Sequence, residues 1–290
     1  MIPSAFEYVR PTSLAEAIRL LATHADDAKI LAGGHSLVPM MKLRLAAPKM
    51  LIDIGRLAEL TGIREENGTI VLGACTTHYA AETSTLLKQR CLLLAETAAA
   101  IGDVQVRNRG TIGGSVAHAD PAADWPAAML ALEAQMTLTQ RTGTRTVKAA
   151  DFFVDLLTTS MESSEILTEI RIPTPGARSA GAYCKVLQPA SGFALTGVAA
   201  QVTLGTDNTI QQVAVGITGV GSKPFRATAT EAALQGQRGT AEALTQAAAK
   251  ATDGIEPLED MHASAEYRLH LARVYTKRAL QKAIERAQGS

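Results

Sequence analysis

Apolar positions along this chain change their spacing several times, and each change marks an element. Leu14, Ile18 and Leu21 recur at helical intervals behind Ser13 and Glu16, which have capping-box spacing, so the first element is expected to be a helix running to about Ala25. Lys29-Ile30-Leu31 then forms a short run stopped by Gly33-Gly34, the pattern of a strand that ends in a tight backbone feature. Met50 to Ile54 and Thr69 to Ala74 read as two more short strands. A helix is expected from Leu87 to Ile101, ending at Gly102, before the polar Arg107-Asn108-Arg109-Gly110 leads into Thr111-Ile112-Gly113-Gly114-Ser115. Asp124-Trp125-Pro126 opens the next helix, because proline is tolerated in a first turn, and Ala127 to Ala134 continues it.

Strands Gln135–Leu138 and Ile166–Ile172 follow, and Pro173, Pro175 and Gly176 then interrupt the pattern. The domain boundary is expected at 173–180. Beyond it Ala182–Leu187, Ala194–Leu204 and Thr209–Thr218 alternate or run apolar, with Gly205-Thr206-Asp207-Asn208 as a turn, which predicts an antiparallel meander. Alanine-rich helices dominate from Thr230. The last of them carries Tyr267, Leu271 and Val274 along one face, with Arg273, Lys277, Arg278 and Lys282 toward its C-terminal half.

With 290 residues the chain is long enough for two domains of ordinary size. Its 28 basic and 28 acidic residues cancel and are interspersed, so the field that draws a protein onto nucleic acid is absent. Cys75, Cys91 and Cys184 stand far apart, which offers neither a zinc site nor a cysteine-held cluster and suits a reducing cytoplasm. The start Met1-Ile2-Pro3-Ser4-Ala5-Phe6 lacks a signal-peptide pattern, and no run of about 18 apolar residues occurs, so an intracellular protein without a membrane span is expected.

The candidate chemistry lies in the glycine pairs of Ala32-Gly33-Gly34-His35-Ser36 and Thr111-Ile112-Gly113-Gly114-Ser115. Glycine permits positive φ and carries no Cβ to hold a ligand away, so successive N–H groups can converge on an anion, and Ser36, Thr111 and Ser115 add hydroxyls. One such pair is most often a tight turn; two with flanking hydroxyls point to one large phosphate-bearing ligand. On this reading a valine at Gly34 or Gly114 would push its branches into the ligand's path. Neither cluster is a P-loop or a G-x-G-x-x-G fingerprint. His35 and His118 lie in or beside the clusters without an acid–base partner. Arg107 and Arg109 read as a solvated face or partner contact, Trp125 as core, and Asp120 as a helix N-terminal acid.

Leu31 to Leu37, Thr111 to Ser115, Ala119-Asp120-Pro121 with Asp124, Glu165-Ile166-Leu167 with Ile170 to Pro173, and Ser264 to Arg268 together resemble the FAD-binding medium subunits of the molybdenum hydroxylases, the group of the xanthine and carbon monoxide dehydrogenases. The resemblance spans nearly the whole chain. It implies an α+β fold: an FAD-binding domain of the vanillyl-alcohol-oxidase type at 1–176, in two α/β subdomains of about 1–56 and 57–176, then a domain at 177–290 with a three-stranded antiparallel sheet and a helical bundle. It also implies that Leu31, Ala32, Gly33, Gly34, His35, Ser36 and Leu37, with Thr111, Gly113, Gly114, Ser115 and the adjacent His118, hold FAD. Lys29 and Asp124 match further contacts, Ile101 an apolar contact on the adenine side, and Leu167 and Lys185 positions near the flavin ring. A lysine there would favour reduced flavin.

Many relatives carry a basic loop after the equivalent of Lys185, whereas this chain reads Val186-Leu187-Gln188-Pro189-Ala190-Ser191-Gly192-Phe193. The function implied is that of the flavoprotein subunit of a molybdenum-containing dehydrogenase, passing electrons from a [2Fe-2S] iron–sulfur small subunit to an external acceptor. A large subunit with the molybdenum cofactor would oxidise the substrate, in a dimer of heterotrimers. No catalytic residue and no metal ligand is expected in this chain. The competing reading is a self-sufficient FAD-dependent oxidase or reductase of the same broader fold.

Overall fold

The computed structural model describes residues 2–24 and 26–289. A first lobe contains β1 (Glu7–Val9), α1 (Leu14–His24), β2 (Ala28–Leu31), α2 (Leu37–Lys42) and β3 (Met50–Asp53). The first element is therefore a strand and not a helix; three half-exposed residues carry no periodic signal, and β1 exists only through its pairing with β3. Ala25, the expected helix end, lies outside the described residues. Glu16 reaches one residue further back than in a capping box, accepting from Thr12 N at 2.7 Å, while Ser13 Oγ accepts from Glu16 N. The three strands form a parallel sheet in the order β1-β3-β2, on which α1 packs Ala17, Ile18 and Leu21.

A second lobe is built on a five-stranded antiparallel sheet. In chain order it runs β4 (Ile63–Glu66), β5 (Thr69–Gly73), α3 (His78–Thr83), α4 (Thr85–Arg90), α5 (Leu92–Ala99), α6 (Val104–Arg109), α7 (Ile112–His118), α8 (Trp125–Ala131), β6 (Gln135–Gln140), β7 (Gly143–Lys148), α9 (Ala149–Phe152), the small hairpin β8 (Phe153–Asp155) and β9 (Thr158–Thr159), and β10 (Ile166–Pro173). The sheet order is β4-β5-β10-β6-β7. The single helix expected over 87–101 is two, broken where Cys91 adopts φ −157° and ψ 74°. Cys91 to Leu94 is apolar on every side, so no stripe fixes the helical phase, and the break lets Leu87, Leu93 and Leu94 all enter the core. Fully buried Trp125 and Phe152 belong to the same core.

The remaining chain contains β11 (Ser179–Leu187), β12 (Ala194–Leu204), β13 (Ile210–Thr218), β14 (Phe225–Arg226), α10 (Thr228–Leu234), α11 (Ala241–Ala248) and α12 (Ala265–Gln288). The expected three-stranded meander gains β14 as a two-residue fourth strand. Alternation sends Val198, Ala200 and Val202 into the core beneath α12, while Ala199 and Tyr183 join the core around Trp125. This sheet is thus the shared wall of two cores. Helix α8 lies so close to it that a Cβ on Gly216 would sit 2.1 Å from the carbonyl oxygen of Ala127. On α12 the buried face is Arg268, Leu271, Ala272, Thr276, Ala279 and Leu280, not the face of Tyr267, which is exposed. Small side chains let the helix settle on the sheet, and Arg268 is admitted because the carbonyls of Leu195 and Gly219 and the Asp260 carboxylate accept its protons.

Glu96 on α5 ties the second lobe to α12: its Oε1 accepts from Lys282 Nζ at 2.9 Å, and its Oε2 accepts from Arg286 Nη1 at 2.9 Å. Burial alone would raise the pKa of this carboxyl, but the bonds from Arg286 and Lys282 outweigh it and hold the pKa below its ordinary 4.5. A depressed folded pKa contributes stability that is complete above the ordinary value and lost as pH falls through the folded one. Glu96→Ala is therefore expected to cost about 1–2 kcal/mol at pH 7, a fall of a few degrees in Tm, with the gap to wild type narrowing in melts recorded below pH 4.5.

Candidate functional site

The two lobes enclose a cleft of about 620 Å³. One wall is the carboxyl end of β2, where the chain leaves the parallel sheet at Leu31 and turns through Ala32 to Ser36 into α2. Gly34 makes the turn with φ +78°, a left-handed conformation suited to glycine. The N–H groups of Gly33, Gly34, His35 and Ser36 donate to no acceptor among the described residues. Four consecutive unpaired donors facing a cleft form an anion cradle.

The second cluster is arranged differently. Thr111 is the N-cap of α7, so Ile112 to His118 are helical and the expected loop is a helix opening. The amides of its glycine pair and of the residue before it are already engaged: Ile112 N donates to Thr76 O at 2.9 Å, Gly113 N to Ala74 O at 2.8 Å, and Gly114 N to Thr111 Oγ1 at 3.1 Å. A Cβ on Gly113 would lie 2.8 Å from Ala74 Cα, and one on Gly33 would lie 2.4 Å from Arg109 O and 2.8 Å from Gly110 Cα. These two glycines let protein backbones touch each other. At Gly34 and Gly114 an added Cβ would also crowd protein, Val38 Cγ2 at 3.2 Å and Thr111 Oγ1 at 2.7 Å, so substitution there would disturb the cleft wall itself. What the second cluster offers the cleft is the bare surface of Gly114 and the hydroxyl of Ser115, which has no partner among the described residues.

Lys29, Leu31 to Leu37, Ile101, Thr111, Gly113, Gly114, Ser115, His118, Asp124 and Leu167 all line the cleft; Lys185 does not. Its side chain is 6 % exposed, and its ammonium donates to Asp124 Oδ2 at 2.9 Å and to Ala100 O at 2.8 Å. Tyr183 donates its hydroxyl proton to Asp124 Oδ1 at 2.5 Å. Lys185 is thus neither a solvated strand lysine nor a free cation beside a flavin, and both carboxylate oxygens of Asp124 already have protein partners. Burial pushes the Asp124 carboxyl upward against Lys185 and Tyr183, and the same burial together with Asp124 raises the Tyr183 phenol well above its ordinary value.

Asp120 also lines the cleft, but one oxygen closes a turn by accepting from Ala122 N at 2.8 Å, two residues on and ahead of α8. Arg107 is not a solvated face: it pairs with Glu82 at 2.7 Å and donates to the carbonyls of Ile101 and Gly102, fixing the turn that presents Ile101. Arg109 is exposed. Ser191, Gly192 and Phe193 of the loop after β11 reach the cleft rim. Burial pushes the Cys75 thiol up to about 12, which keeps this cleft residue protonated and unreactive.

His78 was not singled out in the sequence. It lines the cleft at the start of α3, accepts at Nδ1 from Trp125 Nε1 at 3.0 Å, and is brought down to about 4 by burial and by the charges of His35 and Arg107. A signal was present: β5, like β2, runs out through small residues, here Gly73-Ala74-Cys75-Thr76-Thr77, to a histidine. The arrangement as a whole has the chemistry to accept an anion at the cradle and a large apolar body along Ile30, Met40, Ile54, Ile101 and Leu167. The residues present therefore fit a flavin dinucleotide, with diphosphate at one end and aromatic rings elsewhere.

Comparison with known proteins follows the same division. Residues 4–175 match the FAD binding domain in molybdopterin dehydrogenase, and 181–283 the CO dehydrogenase flavoprotein C-terminal domain. The carbon monoxide dehydrogenase medium chain of Hydrogenophaga pseudoflava is 43 % identical over 99 % of both chains. Subunit alpha of the 6-hydroxypseudooxynicotine dehydrogenase complex of Paenarthrobacter nicotinovorans is 37 % identical over 99 % of this chain and 97 % of its own. A solved carbon monoxide dehydrogenase from Hydrogenophaga pseudoflava superposes with a TM-score of 0.95 at 45 % identity, covering 99 % of each chain.

Two sets of variants test this geometry in flavin-free protein. Asp124→Ala strands a buried ammonium and phenol and is expected to cost about 3–5 kcal/mol in thermal unfolding, where a residue reserved for ligand would cost little. Gly113→Ala, pressed against Ala74 backbone, is expected to lower Tm more than Gly114→Ala, by about 1–3 kcal/mol in stability. Equal melting of the two glycine variants would contradict the packing role.

Proposed function

The chain belongs to the molybdopterin dehydrogenase and carbon monoxide dehydrogenase flavoprotein family, as an FAD-binding subunit of the medium type, and from that premise we propose how it works. It is the flavoprotein subunit of a heterotrimeric molybdenum hydroxylase. Electrons reach its FAD from a partner subunit with [2Fe-2S] clusters and leave to an external acceptor, while a partner with the molybdenum cofactor oxidises the substrate, the whole being a cytoplasmic dimer of heterotrimers. We assign the FAD-binding domain of vanillyl-alcohol-oxidase type to 1–176, with subdomains of about 1–56 and 57–176, and the flavoprotein C-terminal domain to 177–290. Among the described residues no helix is long and apolar enough to cross a membrane.

The observation that carries this reading is the row of unpaired N–H groups from Gly33 to Ser36 at the end of a parallel strand, facing a cleft with an otherwise largely apolar lining. FAD, when bound, supplies the capacity to take up electrons and to release them again. The chain's own residues do the holding. The amides of Gly33, Gly34, His35 and Ser36, with the Ser36 and Ser115 hydroxyls, receive the diphosphate; Lys29 and His118 border the same cleft. Ile101 supplies an apolar surface toward the adenine and Leu167 one toward the flavin ring. Thr111 acts through its cap, keeping Gly113 and Gly114 in helical register. Asp124, Tyr183 and Lys185 brace the floor from behind and stabilise it as a charged unit.

Purified chain given FAD is expected to be yellow, to remain oxidised when mixed with candidate substrates alone, and to bleach only once the iron–sulfur and molybdenum partners are added. Absorbance of the flavin band under anaerobic conditions checks this. Bleaching by an organic substrate with no partner present would favour a self-sufficient oxidase, and failure to take up FAD would overturn the reading altogether.

A further inference from the structure

His78 is only 4 % exposed, yet one side of its ring is unaccounted for by the protein. Its Nδ1 lies 3.0 Å from Trp125 Nε1. An indole N–H can only donate, so Nδ1 is the acceptor, and the neutral ring carries its proton on Nε2. That Nε2–H donates to nothing among the described residues. Nor is it one of the unpaired polar atoms sealed from solvent, so the donor opens outward, and the residue lines the cleft. Among the described residues no protein group completes this donor, and a polar group left without a protein partner on a cleft wall is available to a ligand.

Its location places the ring beside the glycine seam. A Cβ on Gly110 would lie 2.7 Å from His78 Nε2, and Gly110 is the residue whose Cα the first glycine pair touches at Gly33. The ring therefore stands directly behind the seam between the cradle and α7. Backbone bonding holds it there, since His78 N donates to Gly110 O at 3.0 Å. Neighbouring charges come from His35 and Arg107, both of which disfavour a second proton on this ring.

We propose that His78 is a cofactor-binding residue, a neutral donor whose Nε2–H is fixed by Trp125 and presented to an acceptor oxygen of the bound FAD. This rests on the flavin reading above and adds a contact from a further stretch of chain. The ring proton is not transferred, and no charge is added to the cleft.

The test uses the full chain stripped of flavin, titrated with FAD by fluorescence quenching, with selectively ¹⁵N-histidine-labelled protein in parallel. His78→Leu is expected to weaken FAD binding roughly tenfold or more. His78→Gln, whose amide can accept from Trp125 and still donate, is expected to stay within a fewfold of wild type, a rescue that a purely space-filling role does not predict. In wild type the His78 resonances, assigned by their loss in His78→Gln, are expected to show the Nε2–H tautomer from pH 6 to 8. Its proton should move and exchange more slowly at FAD saturation. An unmoved resonance at saturation overturns the proposal even if His78→Leu fails to fold, as does equal affinity of wild type and a folded His78→Leu. Should wild type itself bind no FAD, the flavin reading falls and this contact with it, a result separable from the others because no variant is involved.

Discussion

The contact on which the site depends is between two backbones. Gly33, at the end of β2, lies against Arg109 and Gly110, at the end of α6, with no room for a side chain. This seam joins the parallel lobe to the antiparallel one and brings the free amides of the first glycine cluster opposite α7. The second lobe reinforces it from behind, because the amides of Ile112 and Gly113 are tied to Thr76 and Ala74 at the exit of β5. Neither lobe contains the cleft alone; the close approach of two backbone segments at Gly33 and Gly110, where no Cβ intervenes, creates it.

The C-terminal domain holds that arrangement in place through buried charge. Asp124 opens α8 in one domain, while Tyr183 and Lys185, which satisfy it, lie on β11 in the other. Removing any one member leaves the rest charged or polar without water, so the unit is costly to open although its net worth against an apolar replacement is small. Glu96 repeats the theme at a half-exposed position with Lys282 and Arg286. Added to the close packing of α8 on the sheet at Gly216, these contacts make the second domain the back wall of the first.

The two glycine clusters look alike in sequence and do different work. In Ala32 to Ser36 the chain has left its strand and not yet begun its helix, so its amides face outward without partners. In Thr111 to Ser115 the threonine caps a helix at once and the amides are consumed by the protein. Local sequence could not separate them, because what differs is whether another segment, residues 74 to 76, happens to lie alongside. The same limit explains Lys185: its place in the motif was readable, but its carboxylate partner is 61 residues away.

Read alone, the sequence determined several of the strands and helices, the meander from 182 to 218, the break near Pro173 and the family itself. Each of these is carried by local periodicity, by turn chemistry or by short motifs whose residues are contiguous. Only the tertiary structure decided which glycines face ligand and which face protein, and that Tyr267 points out while Arg268 points in. It also decided that α4 and α5 are separate helices and that His78 keeps a free donor behind the glycine seam. Those outcomes depend on contacts between residues far apart in the chain. Whether a polar group or a missing Cβ serves the fold or the ligand is fixed by what packs against it, which no stretch of sequence around it records.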